Sequence, residues 1–190
     1  MAVFPVILDS DVLFGANSMD LLMSLGHAGL FRLHWTQKIL DDTWRNILLA
    51  RPGIDPTRLV FRFDTMNRAL PDALIVVPPA LETAMPNHPG DRHVLAAAVH
   101  IGAPTIVTNN LKHFLPKDCA PYGVEAQNAN GFVLHLVSLD PIAVRDAILT
   151  ISLRRTRLPQ SPSELAAVMR GQFHESLKTL EGVVGSASGW

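Results

Sequence analysis

The chain has a single cysteine in 190 residues, Cys119, so no disulfide can form within it and a reducing compartment suits it. No apolar run approaches the roughly 18–20 residues that a membrane span needs. The first apolar run, residues 3–8, follows no basic segment and breaks at Asp9, which is not the pattern of a secretory signal. The expectation is a cytoplasmic protein with no membrane partner. Charge of one sign is missing too: 16 Lys and Arg stand against 17 Asp and Glu, a formal net charge of -1. Bulk electrostatics therefore announces no nucleic acid, and such a contact must rely on local clusters or a metal. No internal repeat occurs, which excludes a solenoid. What is present is ample apolar content: at 48% hydrophobic and 17% charged the chain can fill a core and is not disordered.

The stretch that organises the rest is 3–11, VFPVILDSD. A short apolar run between polar residues suits a strand buried on both faces. A carboxylate just past its C-terminal end lies where open α/β sheets bind ligands. Helices are expected over 12–26, stopped by Gly26, and over 36–50, started by Thr36 and closed by Arg51-Pro52-Gly53. Asp55-Pro56 opens a third, with Leu59, Val60, Phe63 and Met66 on one face. The clearest helix is 91–101, striped by Val94, Leu95, Ala98 and Ile101 and ended by Gly102. Strands are expected at 30–35, 74–77 and 105–108, with a helical turn at 111–114, a short edge strand at 123–126 and a helix over 128–137. Strands alternating with helices, and too apolar for a wet face, make a parallel α/β sheet. Right-handed crossovers then align every strand-to-helix junction along one edge.

Past Asp140 only helices are expected. One starts at Asp140-Pro141 and carries Val144, Ile148 and Ile151 on one side. A link with Arg154, Arg155 and Arg157 follows, readable equally as an RNA backbone grip or as a solvated connection. Ser161-Pro162-Ser163-Glu164 is a capping box that opens a helix over 161–180. Its stripe of Leu165, Val168, Met169, Leu177 and Leu180 docks on the domain or meets a partner. The expected division is 1–138 for the sheet domain and 139–190 for a helical extension, with a loose tail at 185–190.

Acids and amides gather at the predicted edge. Asp9 and Asp11 follow the first strand, Asp41 and Asp42 sit in the helix after the second, Asp91 opens the helix before the fourth, and Asn109 and Asn110 follow the fourth. An oxygen-rich set of this kind suits a hard cation such as Mg²⁺ or Mn²⁺. Without a cation the same acids repel and raise one another's pKa. Each residue has a plainer reading alone: Asp91 as a helix cap, Asp9 and Asp11 as a strand stop, Asn109-Asn110 as a turn. Helix geometry leaves Asp41 and Asp42 equivalent, both about 130° from the centre of the apolar stripe. His88, His93, His100 and His113 lack a companion cysteine cluster or an HxxxH spacing and are read as surface or core residues.

VILDSDVL around Asp9, KILDDTWRNIL around Asp42, GDRHVLAAAV around Asp91 and TIVTNNLKHF resemble the signatures of PIN-domain ribonucleases, and within them of VapC-type toxins of bacterial toxin–antitoxin pairs. The resemblance covers residues 3 to 138, and DRHVLAAA followed by VTNNLKHF is its most specific part. It implies a Rossmann-like PIN domain, a central parallel sheet flanked by helices, with a C-terminal helical extension. It further implies an endoribonuclease that hydrolyses RNA with Mg²⁺ or Mn²⁺, a cognate antitoxin, and a homodimer. By position it assigns Asp9, Asp91 and Asp42 as metal ligands and Asn110 as a fourth catalytic residue, where many members carry an aspartate. Thr108 would orient Asn110 or a phosphate, with Asp11 and Arg92 in substrate-binding roles. Asp in place of Glu at 42 and Asn at 110 keep open a degenerate PIN domain that binds without strong nuclease activity.

Overall fold

The structure is a computed structural model that describes residues 3–155, 160–186, Ser188 and Trp190. Arg157 lies outside the described residues, and with it that part of the basic-link reading. The chain divides into two compact units, one of residues 1–14 and 32–127, the other of residues 15–31 and 128–190. This differs from a cut at 138, because the helix that follows the first junction groups with the C-terminal helices.

The first unit is built on a five-stranded sheet. β1 (Pro5–Leu8), β2 (Arg32–Thr36), β3 (Leu74–Ile75), β4 (Thr105–Val107) and β5 (Glu125–Gln127) are ordered β3-β2-β1-β4-β5. All pairings are parallel, with Ile7 of β1 opposite His34 on one side and Ile106 on the other. Val6, Ile7, Leu8, Ile106 and Val107 are completely buried, as strands covered on both faces require. From β1 the chain builds outward to β2 and β3, then returns to lay β4 against the opposite side of β1. The order therefore reverses between β1 and β4, and the crevice beyond their carboxyl ends is where such sheets take ligands.

Helices flank this sheet. α1 (Ser10–Phe14) follows β1, and its successor α2 (Ala16–His27) belongs to the second unit. The single helix expected over 12–26 is thus two, broken where Gly15 adopts extended backbone at φ -76°, ψ 123°. α3 (Gln37–Ala50) is capped by Thr36 and α4 (Pro56–Ala69) by Asp55, as their sequences require. α5 (Pro79–Ala84) and α7 (Pro116–Cys119) are short, proline-opened turns that sequence periodicity is too brief to reveal. α6 (Arg92–Ile101) buries Val94 through Ala98 and ends at Gly102, whose φ of 64° suits a residue without Cβ. The expected buried strand 74–77 is corrected: β3 is a two-residue edge strand, and Val76 beyond it is 87% exposed. Cys119 is buried, and burial followed by the charge of Asp118 pushes its thiol above the usual range. A thiol reagent is expected to spare the native chain at neutral pH and to modify one thiol per chain after unfolding.

The second unit is helical: α2, α8 (Ala129–Leu139), α9 (Pro141–Arg154), α10 (Pro162–Met169) and α11 (His174–Val184). Phe31 and Phe132 meet edge to face at 4.9 Å, and Phe173 is fully buried. Arg155 Nη2 donates to Asn17 Oδ1 at 2.7 Å, and Arg154 Nη2 donates to Ser24 Oγ at 2.6 Å, so both guanidiniums anchor α2. The one helix expected over 161–180 is also two, because the chain turns at Gly171 and Gln172 and buries Phe173 in the break. Leu165, Met169, Leu177 and Leu180 are buried as the stripe requires, but Val168 is 52% exposed. The capping box forms: Ser161 Oγ accepts from Glu164 N at 3.2 Å, and Glu164 Oε2 accepts from Ser161 N at 2.8 Å. Ser161→Ala is expected to cost about 1 kcal/mol in chemical denaturation.

Candidate metal centre

β1 ends where Asp9 N donates to Val107 O at 3.0 Å, the last rung between β1 and β4. The carboxylate that follows is only 3% exposed. Its Oδ1 accepts from Ser10 N at 2.6 Å and its Oδ2 from Thr108 Oγ at 2.7 Å. Burial nevertheless raises the pKa of Asp9, and the charge of Asp91 adds to it against the pull of those hydrogen bonds. Two residues on, Asp11 Oδ2 accepts from Asn109 N at 2.8 Å. Burial, then the charge of Asp9, pushes Asp11 up to about 7, against backbone N–H groups that pull it down. Its Oδ1 is buried without a hydrogen bond.

The loop after β4 carries the connection onward. Asn110 N donates to Thr108 Oγ at 3.1 Å, and Asn110 Nδ2 lies 2.7 Å from His113 Nδ1. That same ring nitrogen is 2.5 Å from Asp91 Oδ2. One chain of contacts therefore runs from Asp9 through Thr108, Asn110 and His113 to Asp91. Asp91 stands at the start of α6 without a side-chain cap, whereas Thr36, Asp55, Asn128, Asp140 and Ser161 all cap their helices. Capping does not account for it.

α3 resolves the choice between its two acids. Asp41 is exposed and accepts from Gln37 Nε2 at 2.9 Å. Asp42 faces α6, with Oδ2 3.3 Å from His93 Nε2, while its Oδ1 accepts from Arg45 Nη1 at 2.8 Å. His93 is 4% exposed and neither ring nitrogen has a hydrogen bond. Burial holds its pKa below the usual range, against the opposing pull of Asp42 and Asp9. Arg92 Nε donates to Asn87 O at 3.4 Å, which ties it to the loop before α6. His88 and His113, read as surface or core residues, are exposed and partly buried respectively; both rings lie beside Asp91 and stack on each other at 3.8 Å. They stand 25 positions apart in sequence, so no local spacing pointed to them.

Asp9 and Asp11 bring two acids and an unpartnered carboxylate oxygen to this edge, while the described ligand atoms that lie within 4.8 Å of one another belong to His88, Asp91 and His113. Crowded carboxylates with raised pKa values and an orphaned carboxylate oxygen are what a cation neutralises and satisfies.

Over 69 residues the chain is 46% identical to a protein of Mycobacterium tuberculosis (strain ATCC 25618 / H37Rv) named "Putative ribonuclease VapC50". Over that stretch the chain is similar to a VapC-type ribonuclease. The matched stretch spans 36% of this chain and 41% of that relative, less than half of either. No family model and no solved structure matches. The five-stranded parallel sheet flanked by helices is consistent with a PIN-like α/β fold. No described helix is long and apolar enough to cross a membrane.

Proposed function

We propose that the chain is a Mg²⁺- or Mn²⁺-dependent endoribonuclease of the VapC type, the toxin of a toxin–antitoxin pair. The observation that carries this reading is the linked set of Asp9, Thr108, Asn110 and Asp91 at the crevice between β1 and β4. Asp9, Asp91 and Asp42 would hold the cation, with Asn110 beside them. A cation bound there supplies neutralisation of phosphodiester charge and activation of water.

The chain's own residues do the rest. Ser10 N and Thr108 Oγ fix both oxygens of Asp9, so its carboxylate is aimed before substrate arrives. Asp11 holds the backbone of Asn109, which sets the turn that presents Asn110. Arg45 orients Asp42, whose side chain is one methylene shorter than a glutamate, beside the buried His93. Asp11, Thr108 and Arg92 are assigned to the substrate side, RNA being the substrate and a cognate antitoxin the restraining partner; a homodimer is the assembly assigned. The test is cleavage of RNA with Mn²⁺ by the parent chain and by Asp9→Asn and Asp91→Asn. Cleavage lost in both variants supports the reading. A parent that binds RNA without cutting it would make the chain a degenerate PIN domain serving as a binding module.

A further inference from the structure

His88 has no part in that reading and His113 only links Asn110 to Asp91 in it, yet the ligand atoms of both converge on Asp91. One ring nitrogen of each histidine and a carboxylate oxygen of Asp91 all lie within 4.8 Å of one another. Asp91 Oδ2 is 3.6 Å from His88 Nδ1 and 2.5 Å from His113 Nδ1. Ligands about 2.0–2.2 Å from a tetrahedral ion stand about 3.3–3.6 Å apart. The His88 pair already has that spacing, and the His113 pair needs to open by only about 1 Å.

The contacts of His113 point the same way. Its Nδ1 faces Asp91 Oδ2 and Asn110 Nδ2 at once. The carboxylate asks that nitrogen for a proton, while the amide N–H asks it for a lone pair. An ion between the ring and Asp91 takes a lone pair from each; the single Nδ1 lone pair is then spent, so Asn110 Nδ2 gives up its contact with the ring. His88 is half-exposed; to aim its ring at the ion it must leave both its stack on His113 at 3.8 Å and its contact with Gly90 N at 3.2 Å.

We infer that His88, Asp91 and His113 form a three-ligand site for a Zn²⁺-type transition ion, with a fourth position open to water or an anion. Two imidazoles and one carboxylate favour such an ion, whereas Mg²⁺ prefers oxygen ligands in an octahedron. The site stands whether or not the chain cuts RNA.

The full-length chain is titrated with Zn²⁺ against a chromogenic chelator, and with Co²⁺ as a visible-absorbing reporter of coordination. The expected result is one Zn²⁺ per chain. Affinity falls at least about tenfold in His88→Gln and in His113→Gln and is kept in Asp9→Asn. Co²⁺ bands present in the parent should vanish in both histidine variants. A parent that binds no Zn²⁺ overturns the inference, as do histidine variants that bind it unchanged. Loss of Zn²⁺ in Asp9→Asn equal to that in the histidine variants would place the ion among the acids instead, and would also overturn it.

Discussion

Asp9→Asn is expected to lower RNA cleavage by at least about a hundredfold while leaving the melting temperature of the metal-free chain unchanged or raised. Two opposing effects decide the stability half. The substitution weakens the partnership with Ser10 N and Thr108 Oγ, although an amide oxygen can still accept one of those bonds. It also removes a carboxylate whose burial, together with the nearby charge of Asp91, raises its pKa in the fold. A raised carboxyl pKa means that the folded chain holds the proton more tightly than the unfolded one. The folded state is thus favoured at low pH and loses stability as pH climbs from the unfolded value to the folded one. For Asp11 that window runs from 3.8 to about 7, and the charge of Asp9 is its second cause. Metal-free stability should therefore fall between these pH values, and fall less steeply in Asp9→Asn. Thermal melts across that range check the slope. A large drop in melting temperature at every pH would show Asp9 to be a structural residue.

The second large effect separates neighbours. Asp42→Ala is expected to lower cleavage by about ten- to a hundredfold, while Asp41→Ala stays within about twofold. Asp42 stands beside the buried His93 and is oriented by Arg45, whereas Asp41 is exposed and meets only Gln37 on its own helix. Steady-state cleavage of one RNA by both variants decides between them. The opposite order would mean that α3 presents its other acid to the substrate.

Much of the sheet unit was legible because its signals are local. The apolar run before Asp9 became the central strand β1, and Gly102 ended α6 in left-handed backbone as its position required. Thr36, Asp55, Asn128, Asp140 and Ser161 marked helix starts through side-chain caps. The site was partly legible for a different reason. Acids at strand ends are brought together by parallel topology, and that topology follows from alternation alone.

What stayed hidden depends on long-range packing. Periodicity ran smoothly across Gly15 and across Gly171 to Phe173, where burial of the flanking helices outweighs continuity. LIVV looked like an inner strand, yet only Leu74 and Ile75 pair, because the sheet ends there. His88 and His113 meet through the segment before α6 and the one after β4, and a spacing rule within one helix cannot find them. The pairing of Asp91 with His113 in place of a helix cap is likewise a tertiary fact.

The most direct test follows free Mn²⁺ by its paramagnetic resonance signal as the ion is titrated into the parent chain, Asp9→Asn and Asp91→Asn without RNA. Convergence of these two carboxylates on one cation predicts that the parent takes up Mn²⁺ and that each single substitution weakens uptake by at least about tenfold. Uptake in both variants equal to that of the parent would contradict a shared ion, and with it the proposed nuclease centre.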